Sequence, residues 1–133
     1  MEEIRFLAKK AGEIMTHGVV AVDRGVKVVN ACIHMVKKRI RSVLVLSNGE
    51  FKGIVTASDI ISKVLMKELP ISEVTVGDIM TSPLITIDYD SDIEEACQLM
   101  VEKKVRHLPV VRNGEIVGMV TPTDILRGVG IKD

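Results

Sequence analysis

Apolar residues along this chain alternate between two rhythms, and the same succession of rhythms occurs twice. Short apolar runs at Val19–Val22 and Leu84–Ile87 predict strands. Each is followed by apolar residues at helical spacing: Val29, Cys32, Ile33, Val36 and Ile40 within Val26–Ile40, and Ile93, Ala96, Cys97 and Met100 within Asp92–Val105. Ser91-x-x-Glu94 predicts a capping box for the second of these helices, whereas the first has only Gly25 at that place. Ser42–Leu46 and His107–Val111 predict further strands, each followed by Asn-Gly at 48–49 and 113–114. Asn-Gly between apolar runs predicts a tight hairpin, because both turn residues must take positive φ. Glu50–Thr56 and Glu115–Thr121 are therefore expected to return as partner strands, and Ser58–Lys67 and Pro122–Arg127 to follow as helices.

The recurrence extends to residue identity. At an offset of 65 residues, Gly12-Glu13-Ile14-Met15-Thr16 lies over Gly77-Asp78-Ile79-Met80-Thr81. Ala31-Cys32 lies over Ala96-Cys97, Arg41 over Arg106, Asn48-Gly49-Glu50 over Asn113-Gly114-Glu115, and Asp59-Ile60 over Asp124-Ile125. A duplicated unit is the reading. The expected organisation is a short helix in residues 1–10 whose apolar stripe (Ile4, Leu7, Ala8) runs on to Ala11, a first copy in 11–68, a linker in 69–75 with Pro70 and Ser72, and a second copy in 76–133. One copy has too little core to stand alone, so the two are expected to pack as a single α/β (α+β) module about a pseudo-two-fold axis.

Composition narrows the function classes. The chain of 133 residues is 47% hydrophobic but 2% aromatic, so its core must be aliphatic. Eighteen basic residues balance eighteen acidic ones. Nucleic-acid binders ordinarily carry a basic excess, which argues against nucleic acid as main partner. No apolar run approaches the length of a membrane span and no secretory leader opens the chain, so a cytoplasmic location is expected. Cys32 and Cys97 sit in helical apolar patterns and read as buried free thiols, with no zinc-ligand spacing around them. No cofactor, metal site or nucleophile–base constellation can be assembled, so catalysis is not expected.

Two constellations carry candidate chemistry. Thr56-Ala57-Ser58-Asp59 and Thr121-Pro122-Thr123-Asp124 each join a strand to a helix. One reading is structural: Thr at the N-cap and Asp three residues on form a cap, with Pro122 suited to the first turn. The other is functional: a carboxylate there accepts the hydroxyls of a ribose. The two readings are compatible. Lys37-Lys38-Arg39 and Lys103-Lys104 fit helix C-termini, where the dipole favours cations. Arg41, Arg106 and His107 open the next strands instead, and Arg suits forked phosphate contacts. His17 and His34 read as ordinary loop and surface residues.

Taken in duplicate, these motifs resemble a tandem pair of CBS (cystathionine β-synthase) domains, a Bateman module. The carriers are Asp-Ile-Met-Thr at 78–81, Val-Arg-His-Leu-Pro-Val-Val at 105–111 and Gly-Met-Val-Thr-Pro-Thr-Asp-Ile-Leu at 118–126, with Glu-Ile-Met-Thr at 13–16 and Gly-Ile-Val-Thr-Ala-Ser-Asp-Ile-Ile at 53–61. The resemblance implies βαββα copies with clefts for an adenosine nucleotide such as AMP or ATP, or for S-adenosylmethionine. It implies ribose contacts from Asp59, Asp124, Thr56 and Thr121, and phosphate contacts from Arg41, Arg106 and His107. An adenine pocket would come from Met15, Thr16, Val20, Met80, Thr81 and Ile85. Because Ser42 stands where the second copy has His107, and Leu44 where it has Pro109, the site using Arg106 and His107 is expected to hold phosphates better. The implied function is a regulatory sensor, a homodimer acting on a partner protein. The alternative is an interaction scaffold whose clefts bind nothing.

Overall fold

Both Asn-Gly pairs adopt the conformation their composition demands: φ is 52° and 77° at Asn48 and Gly49, and 52° and 78° at Asn113 and Gly114. They close two-residue hairpins in which Ser47 pairs with Glu50 and Arg112 with Glu115. Each hairpin carries one bulge at the same place. Val45 pairs with Gly53 but Leu46 with Phe51, leaving Lys52 unpaired, and Val110 pairs with Gly118 but Val111 with Ile116, leaving Val117.

A computed structural model describes residues 3–6 and 10–132, with the backbone alone for 3–6 and 130–132. In chain order the elements are β1 (Glu3–Phe6), α1 (Ala11–Ile14), β2 (Ala21–Asp23), α2 (Val28–Lys38), β3 (Ser42–Ser47), β4 (Glu50–Thr56) and α3 (Ala57–Ile60). The last of these runs on as a π-helical turn, Ile61–Leu65. Then come α4 (Val76–Ile79), β5 (Ile87–Asp88), α5 (Ile93–Lys103), β6 (Leu108–Arg112), β7 (Glu115–Val120), α6 (Pro122–Arg127) and β8 (Val129–Lys132).

The chain forms two compact units, Val20–Leu84 and a second built from Ile85–Asp133 with the N-terminal segment up to Val19. In the Val20–Leu84 unit the sheet order is β2-β3-β4, with β2 parallel to β3 and β4 antiparallel to it. Its core gathers Val28, Ala31 and Met35 of α2, Val43, Val45 and Val55 of the sheet, Ile60 and Val64, and Val76 and Ile79 of α4. The other unit repeats the plan with the order β5-β6-β7 and a core of Ala11, Ile87, Ala96, Leu108, Val110 and Val120.

The units do not coincide with the sequence copies. The block 11–16 opens the first copy, yet it folds with the second. Ala11 N–H donates to Ser91 O (2.7 Å), Gly12 N–H to Tyr89 O (2.9 Å), and Thr16 ladders with Met119 (2.8 and 2.9 Å). The block 76–81 does the same in the Val20–Leu84 unit, with Val76 N–H on Val26 O (2.8 Å), Gly77 N–H on Arg24 O (2.9 Å), and Thr81 laddered with Ile54 (2.8 and 3.1 Å). Each sheet is thereby completed by a segment that the sequence assigns to the other copy.

Five local expectations are corrected. The N-terminal segment is not helical: Glu3–Phe6 forms β1, antiparallel to β8, while Leu7 and Ala8 lie outside the described residues. A pattern of Ile4, Leu7 and Ala8 fits a helix, but β8 offers a backbone ladder that the local sequence cannot anticipate. The helix α2 buries Val28, Ala31 and Met35, whereas Ile33 and Val36 are 45% and 78% exposed. Apolar residues cover more than half of the circumference of this helix, with Asn30, His34, Lys37 and Lys38 on the rest, so periodicity alone does not select which part of the apolar arc is the core face. Gly25 does not cap α2. The N-cap is Lys27, and the free N–H groups of Val28 and Val29 donate to Val74 O (2.8 Å) and Ile71 O (3.0 Å) of the linker. Ser91 does not cap α5 either: the N-cap is Asp92, and the carbonyl of Ser91 is used by Ala11. The two cysteines are free and half-buried rather than buried.

Candidate ligand site

Where β4 gives way to α3, Thr56 is extended (φ −104°, ψ 166°) and serves as N-cap. Asp59 N–H donates to Thr56 Oγ1 (3.1 Å), and Asp59 Oδ2 accepts from Thr56 N–H (2.9 Å) and from the Thr56 hydroxyl (3.1 Å). This is the capping arrangement that the Thr-x-x-Asp spacing predicts. It occupies one carboxylate oxygen and leaves the other for a different use.

Asp59 Oδ1 accepts the hydroxyl of Thr81 (3.2 Å) and faces Lys63 Nζ at 3.2 Å. The same ammonium donates to Ile79 O (2.9 Å) and Thr81 Oγ1 (3.3 Å). The Asp59 side chain is 13% exposed and that of Lys63 is 37% exposed.

The second copy repeats the device with tighter closure. Asp124 Oδ2 accepts from Thr121 N–H (2.9 Å) and the Thr121 hydroxyl (3.1 Å), while Oδ1 accepts the Thr16 hydroxyl at 2.7 Å. Arg127 Nη1 approaches the same oxygen at 3.3 Å from an exposed side chain, although Asp124 itself is 1% exposed. A buried carboxylate is costly unless it is hydrogen-bonded, and these donors meet that requirement.

Two glycines permit the crossing segments to reach the carboxylates. A Cβ on Gly53 would stand 2.6 Å from Thr81 O and 3.0 Å from Met80 Sδ. One on Gly118 would collide with Met15 Sδ and come within 2.9 Å of Thr16 O.

The residues expected to line the adenine walls of the two clefts fall in both units. Met15, Thr16 and Ile85 belong with Asp124, Thr121, Arg106 and His107, whereas Val20, Met80 and Thr81 belong with Asp59, Thr56 and Arg41. Met15 and Ile85 pack on one core, Val20 and Met80 on the other. The hydroxyls of Thr16 and Thr81 are bound to the carboxylates. Arg41 and Arg106 are exposed at the entries to β3 and β6, and His107 is half-buried. The Arg41 carbonyl accepts the N–H of Ala57 (3.0 Å), so Arg41 lies beside the turn that carries Asp59.

Two features escaped sequence reading. Thr75, within the expected linker 69–75, caps α4: Asp78 N–H donates to its Oγ1 (3.2 Å), and Asp78 Oδ2 accepts from Thr75 N–H (3.0 Å). The Thr75 N–H, and after it the Thr75 side chain, hold the Asp78 carboxyl below its usual range. Its spacing, Thr75-x-x-Asp78, matches that of Thr56 and Asp59 and was the available signal. Lys63 had only its four-residue spacing from Asp59 to mark it. In the other unit Lys10 pairs with Asp92 (2.8 Å) across an exposed surface. Among the described residues, no group of three His, Cys, Asp or Glu could hold a metal ion, and no helix is long and apolar enough to cross a membrane.

The family model described as CBS domain matches residues 11–66 and 76–130. The chain belongs to the CBS domain family. It is 36% identical over 118 residues to the uncharacterized protein MK0525 of Methanopyrus kandleri, covering 87% of this chain and 60% of that protein. Its fold matches the crystal structure of the CBS domain protein NE2398 with a TM-score of 0.82 at 27% identity, covering 94% of this chain and 97% of that one. It also matches a hexameric CBS-CP12 protein from bloom-forming cyanobacteria, with a TM-score of 0.84 at 29% identity and coverage of 90% and 70%. The CBS copies of this chain are thus a tandem pair, and each places one aspartate under a threonine hydroxyl supplied by the block that opens the other copy.

Proposed function

We propose that this CBS pair is a regulatory sensor in which Asp59 and Asp124 accept the ribose hydroxyls of an adenosine compound, and that the bound state is read by a partner protein. One observation carries the reading. In each copy Oδ2 is committed to the helix cap, while Oδ1 holds a single side-chain hydroxyl, from Thr81 or Thr16. A sugar hydroxyl can replace a threonine hydroxyl with no change in the number or kind of bonds to the carboxylate. Arg41, or Arg106 with His107, then supplies the phosphate contacts, and Met15 with Ile85, or Met80 with Val20, the apolar contacts to the base. The protein works by binding rather than by catalysis: a ligand that favours one arrangement of the chain shifts its population.

The scaffold reading has its own support. Both carboxylates are already satisfied by the protein, and Asp124 is 1% exposed. A thermal-shift panel with AMP, ADP, ATP, S-adenosylmethionine and NAD separates the two. Binding at about 100 times the dissociation constant adds about 2.7 kcal/mol of stability, a rise of several degrees. A flat panel selects the scaffold. A rise that survives in the Asp59→Ala, Asp124→Ala double variant removes the ribose assignment.

The proposal includes a homodimer. Exposed apolar side chains recur at matching positions, Val36 with Val101 and Ile61 with Leu126. Such recurrence suits a surface shared with a second copy. Sedimentation equilibrium at micromolar concentration checks this, and a monomer mass counts against it.

A further inference from the structure

The two carboxylate sites are chemically unequal, and Lys63 sets them apart. Its ammonium carries three donors, and three acceptors surround it: Ile79 O (2.9 Å), Asp59 Oδ1 (3.2 Å) and Thr81 Oγ1 (3.3 Å). The Thr81 hydroxyl therefore donates to Asp59 and accepts from Lys63 at once. Together Asp59 and Lys63 make a socket with one acceptor and one donor, shaped for a single hydroxyl. In the other copy the position matching Lys63 is Gly128, and the cation is Arg127, 72% exposed on an otherwise closed aspartate.

Resting on the ribose reading above, we propose that Lys63 is a specificity-determining residue of the Asp59 site. It makes that site the first to fill and makes it select a ribose hydroxyl over a deoxy position. An incoming hydroxyl takes the place of the Thr81 hydroxyl, donating to Asp59 Oδ1 and accepting from Lys63 Nζ. Thr81 is exposed, and its backbone stays laddered to Ile54 (2.8 and 3.1 Å), so the exchange costs a side-chain rotation and no strand. At Asp124 the same exchange must break a 2.7 Å bond on a carboxylate that is 1% exposed. A deoxy analogue leaves both Asp59 and Lys63 short of a partner, and a site with unpaired polar groups rejects its ligand strongly.

Titration calorimetry with AMP, ATP and S-adenosylmethionine, and with 2′-deoxy and 3′-deoxy AMP, tests the proposal on the full chain. The expected result is one tight event per chain that discriminates against at least one deoxy analogue. Lys63→Met weakens it about tenfold and erases the discrimination. Thr81→Ala tightens it, because the internal competitor is gone, and Arg127→Ala leaves it unchanged. A circular-dichroism melt verifies that each variant is folded. Unchanged binding in both Lys63→Met and Thr81→Ala, or weakening confined to Arg127→Ala, overturns this inference while leaving the ribose reading in place. No heat with any of the three wild-type ligands overturns the ribose reading, and this inference with it.

Discussion

Thr16 and Asp124 are 108 residues apart in the chain, and the hydroxyl of one lies 2.7 Å from the carboxylate of the other. Thr81 and Asp59 repeat the relationship at 3.2 Å. The bond is a local readout of the segment exchange, because each threonine comes from the block that opens one copy and each aspartate from the other copy.

Removing the hydroxyl should expose the difference between the two. Thr16→Val leaves a fully buried carboxylate oxygen without its shortest donor, a loss of about 1–3 kcal/mol. Thr81→Val should cost less, since Asp59 is partly exposed and keeps Lys63. Urea midpoints followed by circular dichroism check the order, and a larger loss for Thr81→Val contradicts it.

The close approach at Gly53 and Gly118 leaves no room for a methyl group. Gly53→Ala meets the backbone carbonyl of Thr81, which cannot yield without breaking its ladder to Ile54. Overpacking of this kind costs about 1–3 kcal/mol. Gly118→Ala meets the flexible Met15 side chain first, but the Thr16 carbonyl stands behind it at 2.9 Å. Both variants should melt lower, and an unchanged melting temperature for Gly53→Ala would show that the crossing segment can slide.

Acid should release the Thr75–Asp78 cap. The folded pKa of Asp78 lies below its ordinary value of 3.8, so its contribution is complete above that value. It fades as pH falls from 3.8 through the lower folded pKa. Asp78→Asn, which keeps an acceptor but cannot ionise, should therefore lose stability relative to wild type at pH 7, with the gap closing towards pH 3. Parallel melts across that range check it; a constant gap counts against the cap as the source.

The thiols should be sluggish. Burial raises the pKa of both Cys32 and Cys97, with Glu94 adding to the effect at Cys97. Only the thiolate attacks an alkylating reagent. Modification by iodoacetamide at pH 8.5 should be several-fold slower in the folded protein than in urea. Equal rates would show that neither helix shelters its cysteine.

Much of this was legible in the sequence because the signals were local. Asn48-Gly49 and Asn113-Gly114 announce their hairpins through a φ that few other residues tolerate, and Thr56 and Asp59 announce a cap through a three-residue spacing. Other features had no local signal. The bulges at Lys52 and Val117 depend on where a partner strand must turn. The start of α2 depends on carbonyls of Ile71 and Val74, more than forty residues on in the chain.

Sequence alone determined the duplication, the strand–helix–strand–strand–helix succession within each copy and the two capped aspartates, because these rest on residue identity and near-neighbour spacing; the short helices α1 and α4 and the strand β8 lay outside that reading. Only the tertiary structure decided which block completes which sheet, which face of α2 is buried, and which hydroxyl and which cation rest on each carboxylate. Those outcomes require a partner distant in the chain. Because the blocks 11–16 and 76–81 are near-copies, local preference could not tell one sheet from the other, and the choice fell to the fold as a whole.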